Sequence, residues 1–516
     1  MTANLGVTRR SVPPSIDAVF FTTSDAIQAW TASFEANRER RLRSLIVAPI
    51  RLRAPADFEA GFDAIRTELD VPTSFPDEVL EAARNARPAD VERVDARHLR
   101  FIAIDPPGAT DLDQAFYAEK RGDGYRVFYA IADVGSFLDP GGVIDLEARS
   151  RGTTLYSPDQ RTPLHPETIS EDRASLLPGT EKPALLWRID LDSDGAPIDN
   201  RIERSTIRVS EAIDYHTAAN RIEAGSDSSL TLLRTIGILR QEQEAARGGV
   251  SLNLPAQEVV ERNGSYDLEY DAALPIEGWN AQMSLLTGIV AGRAMHDAGV
   301  GILRTLPPSR KQDLRKLRRQ AAALGVDWPD DLDYARFIRT IQPTTPSNNA
   351  FLLKAARSFR GAGYVGFSGD VPEYVEHGAI ASIYAHVTAP LRRLVDRFGN
   401  EILLALHADE EPPAWAVEAL DELPSLMGRA KSKESALERS MVDFAEAMVL
   451  APHLDEVFEG FVVDLDHKRD RATIQLRDPA VVVHMDPGGF DLAEEVSLRL
   501  RAVDPVLRTI DFERVR

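Results

Sequence analysis

At 516 residues the chain has room for several domains and a large core, and its 43% hydrophobic and 27% charged content is that of a globular protein. A formal net charge of −21 excludes wholesale coating of nucleic acid and leaves a local basic channel as the route to one. The lack of cysteine excludes disulfides and thiolate metal sites. With no run near the ~18 apolar residues of a membrane span and no apolar leader in MTANLGVTRRSVPPS, the chain reads as a cytoplasmic protein that crosses no membrane.

Residues 1–94 read as a helical domain. Ser24 is placed to cap a helix through AIQAWTASFEANRERRLRSLI, and FEAGFDAIRTELD and DEVLEAARNAR give two more. A docking module and a plain packing unit fit such a domain equally. From Val94 the period changes to that of strands: LRFIAID, then AFYAEK and YRVFYAIADV joined through RGDG as a hairpin. The middle is mostly helical, around residues 228–247, 279–297, 311–324 and 388–407, with a further helical run over 414–450. After APHLDEV, the segments FEGFVVDLD, RATIQL, AVVVHM and VSLRLRAVD alternate as strands of a small terminal barrel.

The chemistry concentrates in FIAIDPPGATDLDQA. Pro106 and Pro107 break a strand after Ile104 and leave Asp105 at its tip. Asp111 and Asp113 are two apart, so on an extended chain they point the same way. Two unit charges about 4 Å apart repel by roughly 4 kcal/mol at an effective dielectric near 20. A converging trio therefore needs a cation, a shared proton or separation, and hard oxygen ligands favour Mg2+ or Mn2+. Aspartate is also a common turn and cap residue, so spacing alone leaves a plain turn as the alternative. A calcium loop does not fit, because D-x-D-x-D-G with its closing glutamate is absent.

IDPPGATDLDQA followed by YAIADV resembles the catalytic domain of the ribonuclease II/ribonuclease R (RNB) family of 3′-to-5′ exoribonucleases. The resemblance continues in order through TTLYSPDQRTPLHPETISEDRASLLPG, ARGGVSLNLP and YAHVTAPLRRLVDRFGNEIL, over roughly residues 95–450. It implies an α+β multidomain fold: a helical N-terminal domain (1–94), a mixed α/β RNB catalytic domain (95–452) and a C-terminal OB-type RNA-binding β-barrel (453–516). The N-terminal region departs from the cold-shock barrels usual in the family and reads as a helix-turn-helix-like substitute.

The resemblance also implies Mg2+-dependent hydrolysis of RNA from its 3′ end to nucleoside 5′-monophosphates, with Mn2+ as the second candidate ion. The implied partner is RNA, single-stranded or with a 3′ overhang, preferred over DNA through its 2′-hydroxyl. By resemblance Asp105, Asp111 and Asp113 ligate the metal, and Asp113 matters most for catalysis. Gln114 joins that set where the family usually has a fourth aspartate, so the site drops to three formal negatives. Arg392 matches the arginine that grips the scissile phosphate, and Arg393 assists along the backbone. Tyr156 matches an aromatic that packs on bases near the 3′ end, and Tyr215 one that stacks near the terminal nucleotide. His377 matches a histidine beside the substrate path. Asn280, with Ala281, stands where the family tends to have a Glu-Glu pair, and offers a hydrogen bond to ribose or base. The plainer readings are core tyrosines, a buried structural histidine and a helix-start arginine in a salt bridge. The basic runs at 309–320 and 37–44 read as solvated helix faces. Gln114 and Asn280 carry the alternative function, an RNA-binding protein on the same scaffold that has lost catalysis.

Overall fold

The computed structural model describes residues 55–516 apart from 252–255, 263–264, 272–273, 343–344, 357–358, 360, 467–469 and 516. The helix expected after Ser24 and the basic run at 37–44 lie outside the described residues. Two helices come first, α1 (Pro55–Glu68) and α2 (Asp77–Asn85), where FEAGFDAIRTELD and DEVLEAARNAR predict them. Then come β1 (Val94–Asp95), β2 (Phe101–Ile104), β3 (Gln114–Arg121) and β4 (Gly124–Ala132). After α3 (Val143–Arg151) and the small hairpin β5 (Leu155–Tyr156) and β6 (Arg161–Thr162), the long ribbon β7 (Glu181–Leu191) and β8 (Pro197–Ile213) completes the main sheet.

The strand order is β1-β8-β2-β3-β4-β7. β8 pairs antiparallel with β7 and parallel with β1 and β2, so the sheet curls back on itself. The β3–β4 hairpin turns where RGDG predicts it, with Gly122 at φ +57°. The β7–β8 ribbon has no counterpart in the sequence reading. PIDNRIERSTIRVSEAI is polar along most of β8, and its strand character comes from two partners rather than from its own alternation.

The middle of the chain supplies α4 (Tyr215–Glu223), α5 (Ser228–Ala246), a hairpin β9 (Ala256–Arg262) and β10 (Ser265–Asp271), and α6 (Pro275–Ala298). The Asp214 and Asp227 carboxylates cap α4 and α5 by accepting backbone N–H groups of the first turn. Next are β11 (Val300–Thr305), α7 (Lys311–Ala323), α8 (Tyr334–Thr340), α9 (Pro346–Ala356), β12 (Gly363–Ser368), and the short β13 (Glu376–His377) and β14 (Ser382–Ile383). Last of the helices come α10 (Leu394–His407), α11 (Ala414–Glu418) and α12 (Leu423–Leu450). The basic run at 309–320 falls on α7, whose Leu317 and Ala321 are buried while Arg318 lies over the Trp328 ring.

One core fills the space between the sheet and helices α6 and α10, with Trp187, Leu286 and Phe398 among its members. A second core lies on the other face, where Phe101, Leu112, Val134 and Leu391 meet Val79 of α2. The two helix faces bury long apolar stripes, about 0.8 kcal/mol per methylene removed from water. On α6, a Cβ at Gly288 would sit 2.2 Å from the Tyr384 ring, so glycine is what lets the 384–385 chain lie against the helix. The helix expected over 388–407 begins only at Leu394. Pro390 lies in the preceding stretch, and the chain around Arg393 pairs instead with Thr153.

The C-terminal strands β15 (Val457–Asp466), β16 (Arg471–Leu476), β17 (Val482–Met485), β18 (Glu495–Asp504) and β19 (Thr509–Arg514) form a five-stranded OB-like sheet in the order β17-β16-β15-β18-β19. Bulges in β15 and in the β18–β19 pairing bend it toward a barrel. Arg508 holds Glu68 of α1 through two bonds of 2.8 Å, which joins this sheet to the front of the molecule. Among the described residues no helix is long and apolar enough to cross a membrane.

Candidate active site

The Asp105 segment is fixed by a turn and an anchor. Ala109 N–H donates to the Pro106 carbonyl at 3.2 Å with Gly108 at φ +81°, the left-handed position that a type II turn reserves for glycine. Leu112 is the anchor. It is buried in the second core, its N–H bonds to Ser175 Oγ at 2.9 Å, and its carbonyl accepts from Leu176 N–H at 3.0 Å. An extended chain with Leu112 turned into the core turns Asp111 and Asp113 away from it.

The second half of the site comes from the far end of the fold. Residues 152–154 lie against 392–394: Thr153 bridges Arg393, Thr154 N–H donates to the Arg392 carbonyl at 3.0 Å, and Leu394 N–H donates to the Gly152 carbonyl at 3.1 Å. Gly152 stands at φ +72°, and a Cβ there would lie 2.6 Å from Ala430 Cβ, so glycine is what lets this segment pack against α12. TTLY and APLRR are thereby set side by side.

These two halves meet at Asp113. Its Oδ1 accepts Leu391 N–H at 2.8 Å and its Oδ2 accepts Arg392 Nε–H at 3.1 Å. Burial pushes the Asp113 carboxyl up to about 7, against the pull of Arg392. Arg392 keeps the rest of its guanidinium toward solvent, with 44% of its side chain exposed. Asp105 is half-buried, and among the described residues no hydrogen bond reaches its carboxylate. Burial raises it to about 7 against Arg392, and the neighbouring Asp111 charge adds to the rise. Asp111 accepts from Arg161 Nη1 at 2.7 Å and from the Tyr156 hydroxyl at 3.4 Å. Arg161 also pairs with Glu171.

The structure brings Asp105, Asp111, Asp113, Arg392 and Tyr156 into one site. Among the described residues no three acidic or histidine side chains stand close enough to hold one ion. Asp113 is turned to Leu391 and Arg392, and Asp111 to Arg161. The donor set nonetheless fits a hard divalent cation, since Asp105 is an under-paired carboxyl beside a second carboxylate.

Gln114 has both ends of its amide in use within the protein. Its Nε2 donates to the Thr388 carbonyl at 2.6 Å and its Oε1 accepts from the Tyr129 hydroxyl at 2.9 Å. That makes it a clamp between the start of β3 and the arginine loop. Arg393 is held by Asp396 at 2.8 Å, and Asp396 also accepts Ala389 N–H, so this arginine braces its own loop. Burial raises the Tyr215 phenol, and the neighbouring Asn280 side chain pulls it the other way. His377, on β13, has its ring edge-on to Tyr384, close to Arg304 and His386 of the cleft wall. Burial and Arg304 hold it down to about 4.

Residues that went unassigned in the sequence include Arg161, Tyr129, His386 and Thr388, which lie within quoted motifs, and Arg304 and Tyr364, which do not. Tyr156, Arg304, Tyr364, His386, Arg392 and Arg393 line a cleft of about 240 Å3. A larger cleft of about 330 Å3, between α3 and α12, contains none of the site residues.

A family model described as the RNB domain matches residues 93–408, and one described as the RNase II-type exonuclease C-terminal S1 domain matches 456–515. Exosome complex exonuclease RRP44 homolog A of Arabidopsis thaliana is 30% identical over 336 residues, which cover 61% of this chain and 35% of that protein. Ribonuclease R of Escherichia coli is 25% identical over 440 residues, covering 77% of this chain and 52% of that protein. The chain thus spans between about a third and about half the length of these two relatives. Among solved structures, Mycoplasma genitalium RNase R in complex with ribose-methylated single-stranded RNA superposes with a TM-score of 0.78 at 18% identity, over 89% of this chain and 78% of that one. Yeast Ssd1, a pseudonuclease, superposes with a TM-score of 0.63 at 14% identity, over 86% of this chain and 58% of that one. At these identities both likenesses show the fold alone.

Proposed function

The chain belongs to the RNB family, and on that premise we propose that it is a hydrolytic 3′-to-5′ exoribonuclease that shortens RNA to nucleoside 5′-monophosphates with little sequence preference. The observation that carries this reading is the Asp113–Arg392 pair at 3.1 Å, set beside the under-paired Asp105 and opening onto a cleft edged by Tyr156. Arg392 uses its Nε–H on Asp113, which leaves its Nη groups for the non-bridging oxygens of a phosphodiester. A charge-assisted fork of this kind stabilises charge that grows on phosphorus oxygens during in-line attack. Tyr156, 51% exposed, offers its ring to a base, and stacking of that kind tolerates any sequence. Tyr215 and the neighbouring Asn280 are suited to a ribose hydroxyl, the group that separates RNA from DNA.

Asp105, Asp111 and Asp113 would hold a divalent cation, Mg2+ or Mn2+, with phosphate oxygens and water completing its shell. Such a cation, when bound, supplies charge that polarises the phosphate and offsets the leaving oxygen. A second reading, RNA binding without catalysis, draws on Gln114, whose amide is engaged by Thr388 and Tyr129. One assay separates the two: a 5′-labelled single-stranded RNA with a free 3′ end, incubated with Mg2+. The exonuclease reading expects a ladder shortening from the 3′ end, lost with EDTA and in Asp113→Asn. Tight RNA binding with no shortening in Mg2+ or Mn2+ would establish the second reading instead.

A further inference from the structure

The β5–β6 hairpin carries two residues of the site and is too small to hold itself. Its strands are two residues long and, among the described residues, join no other sheet. A lone two-stranded hairpin is at best marginal in water, so its position is set from outside. Tyr156 and Arg161 stand directly across from each other on it, and both reach Asp111. The turn between them is closed by Ser157 N–H on the Gln160 carbonyl at 2.9 Å. The base is anchored in the core: Leu155 and Leu164 are buried, and Leu164 N–H donates to Thr154 Oγ1 at 3.0 Å.

The tip is anchored by the N-terminal helix. Arg66 of α1 forks onto Asp159 in the turn, with Nη1 on Oδ1 at 2.8 Å and Nη2 on Oδ2 at 2.7 Å. Its Nη2 also donates to Asp63, one turn back on α1, at 2.7 Å. Arg66 is 2% exposed, as deep as the core residues around it, a depth at which arginine is found only when paired. The helix is itself fixed from behind. The Phe58 and Phe62 rings meet Phe444 of α12 edge-on, with centroids 5.9 and 5.5 Å away, and Arg508 holds Glu68. Arg151 joins the same two segments near the base. Its Nη1 donates to the Pro163 carbonyl at 3.2 Å, its Nη2 to the Ser74 carbonyl at 2.7 Å, and its guanidinium carbon lies 3.6 Å from the Phe75 ring centroid. The N-terminal segment thus grips the hairpin at tip and base.

We propose that this segment serves the site at one remove, with Arg66 as a positioning residue. Through Asp159 it sets the hairpin, and through the hairpin it sets the Tyr156 ring and the hold of Arg161 on Asp111. The part given to Tyr156 rests on the exonuclease reading. Burying two ions to join a helix to a turn gains little stability over an apolar contact of the same size. What the fork adds is a fixed geometry, because two parallel bonds set the orientation of the carboxylate as well as its place.

Hydrogen exchange of the full chain in EDTA, read by mass spectrometry, tests the brace without any turnover. Asp159→Ala should speed exchange over residues 155–163 by about tenfold or more, with α12 and the β3–β4 hairpin unchanged. Arg66→Met should do the same. Circular dichroism checks each fold, and Asp159→Ala, which leaves Arg66 its bond to Asp63, decides if Arg66→Met is unfolded. Binding of a single-stranded RNA with a free 3′ end, also in EDTA, reads the route. Asp159→Ala should weaken it about fivefold in the wild-type chain and less than about twofold in a Tyr156→Ala background, because residues acting through one hairpin are not additive. Unchanged exchange over 155–163 in the folded variants, or an RNA effect undiminished by Tyr156→Ala, would overturn the proposal. A wild-type chain that binds no RNA sinks the exonuclease reading instead, and exchange alone then decides the brace.

Discussion

Two groups of buried carboxylates and arginines lie on the same frame, and they are built on opposite terms. In the first, Asp145 is fully buried and accepts from Gly141 N–H at 2.8 Å, from Arg149 at 3.2 Å and from Arg397 at 2.5 Å. Asp133, equally buried, takes Arg204 at 2.6 Å and Arg93 at 3.2 Å, and Arg204 reaches on to Glu401 at 2.7 Å. Every carboxylate there has arginine partners. In the second group, Asp113 is 5% exposed with a single guanidinium nitrogen on it, Asp105 has no hydrogen bond among the described residues, and both carboxyls rise to about 7. Closed pairing offsets desolvation and serves stability, whereas carboxylates left short of positive charge store an affinity for something that arrives later.

The comparison is sharpest when one member of each group is neutralised. Asp113→Asn should lower the rate of RNA shortening by about a thousandfold, the several kcal/mol expected when the charge at a metal-assisted centre is lost. Its thermal stability should hold or rise at pH 8, since a buried, under-paired charge has gone. Arg397→Met should do the opposite. It strips Asp145 of its closest arginine and should cost about 3–5 kcal/mol in chemical denaturation, with activity per folded molecule retained. Equal losses of stability in the two variants would mean that the groups do not differ in kind.

Titration separates the groups next. Asp105 and Asp113 carry folded pKa values of about 7 against roughly 3.9 in an unfolded chain. Between those values the folded state holds more protons than the unfolded one, so their contribution is fully present near pH 4 and is lost as pH rises through 7. In EDTA the melting temperature should fall from pH 5 to pH 8, by the equivalent of roughly 2–3 kcal/mol for each of the two carboxyls, and Asp113→Asn should remove about half of that slope. Mg2+ should restore more stability at pH 8 than at pH 6, because ligands bind when deprotonated. An identical slope in Asp113→Asn would dissolve the distinction.

The sequence made some of this legible and hid the rest for physical reasons. LRFIAID and the β3–β4 hairpin could be read because a short apolar run and a glycine turn are local properties. Asp105, Asp111, Asp113, Tyr156 and Arg392 could be named because motifs carry them. That Asp113 and Arg392 touch across 279 residues was not readable, because it depends on the pairing of 152–154 with 392–394, nor was the turning of Asp111 to Arg161, which the β5–β6 hairpin sets. The β8 strand escaped because two neighbours, not its own pattern, hold it. Arg304 and Tyr364 escaped because only the register of β11 against β12 sets them face to face.

Gln114 stands at the border between the two groups and yields the smallest test. If it is a clamp, its Nε2–H on the Thr388 carbonyl matters, and Gln114→Glu, which keeps the length but sets two acceptors against each other, should cost about 1 kcal/mol in EDTA at pH 8. The same change adds a negative charge one residue from Asp113, so Mg2+ should raise the melting temperature of the variant more than that of the wild type. Both shifts together place Gln114 in the scaffold with a latent ligand position. An unchanged melting temperature in EDTA would mean that Thr388 does not depend on this amide, and that Gln114 belongs with the carboxylates it follows in sequence.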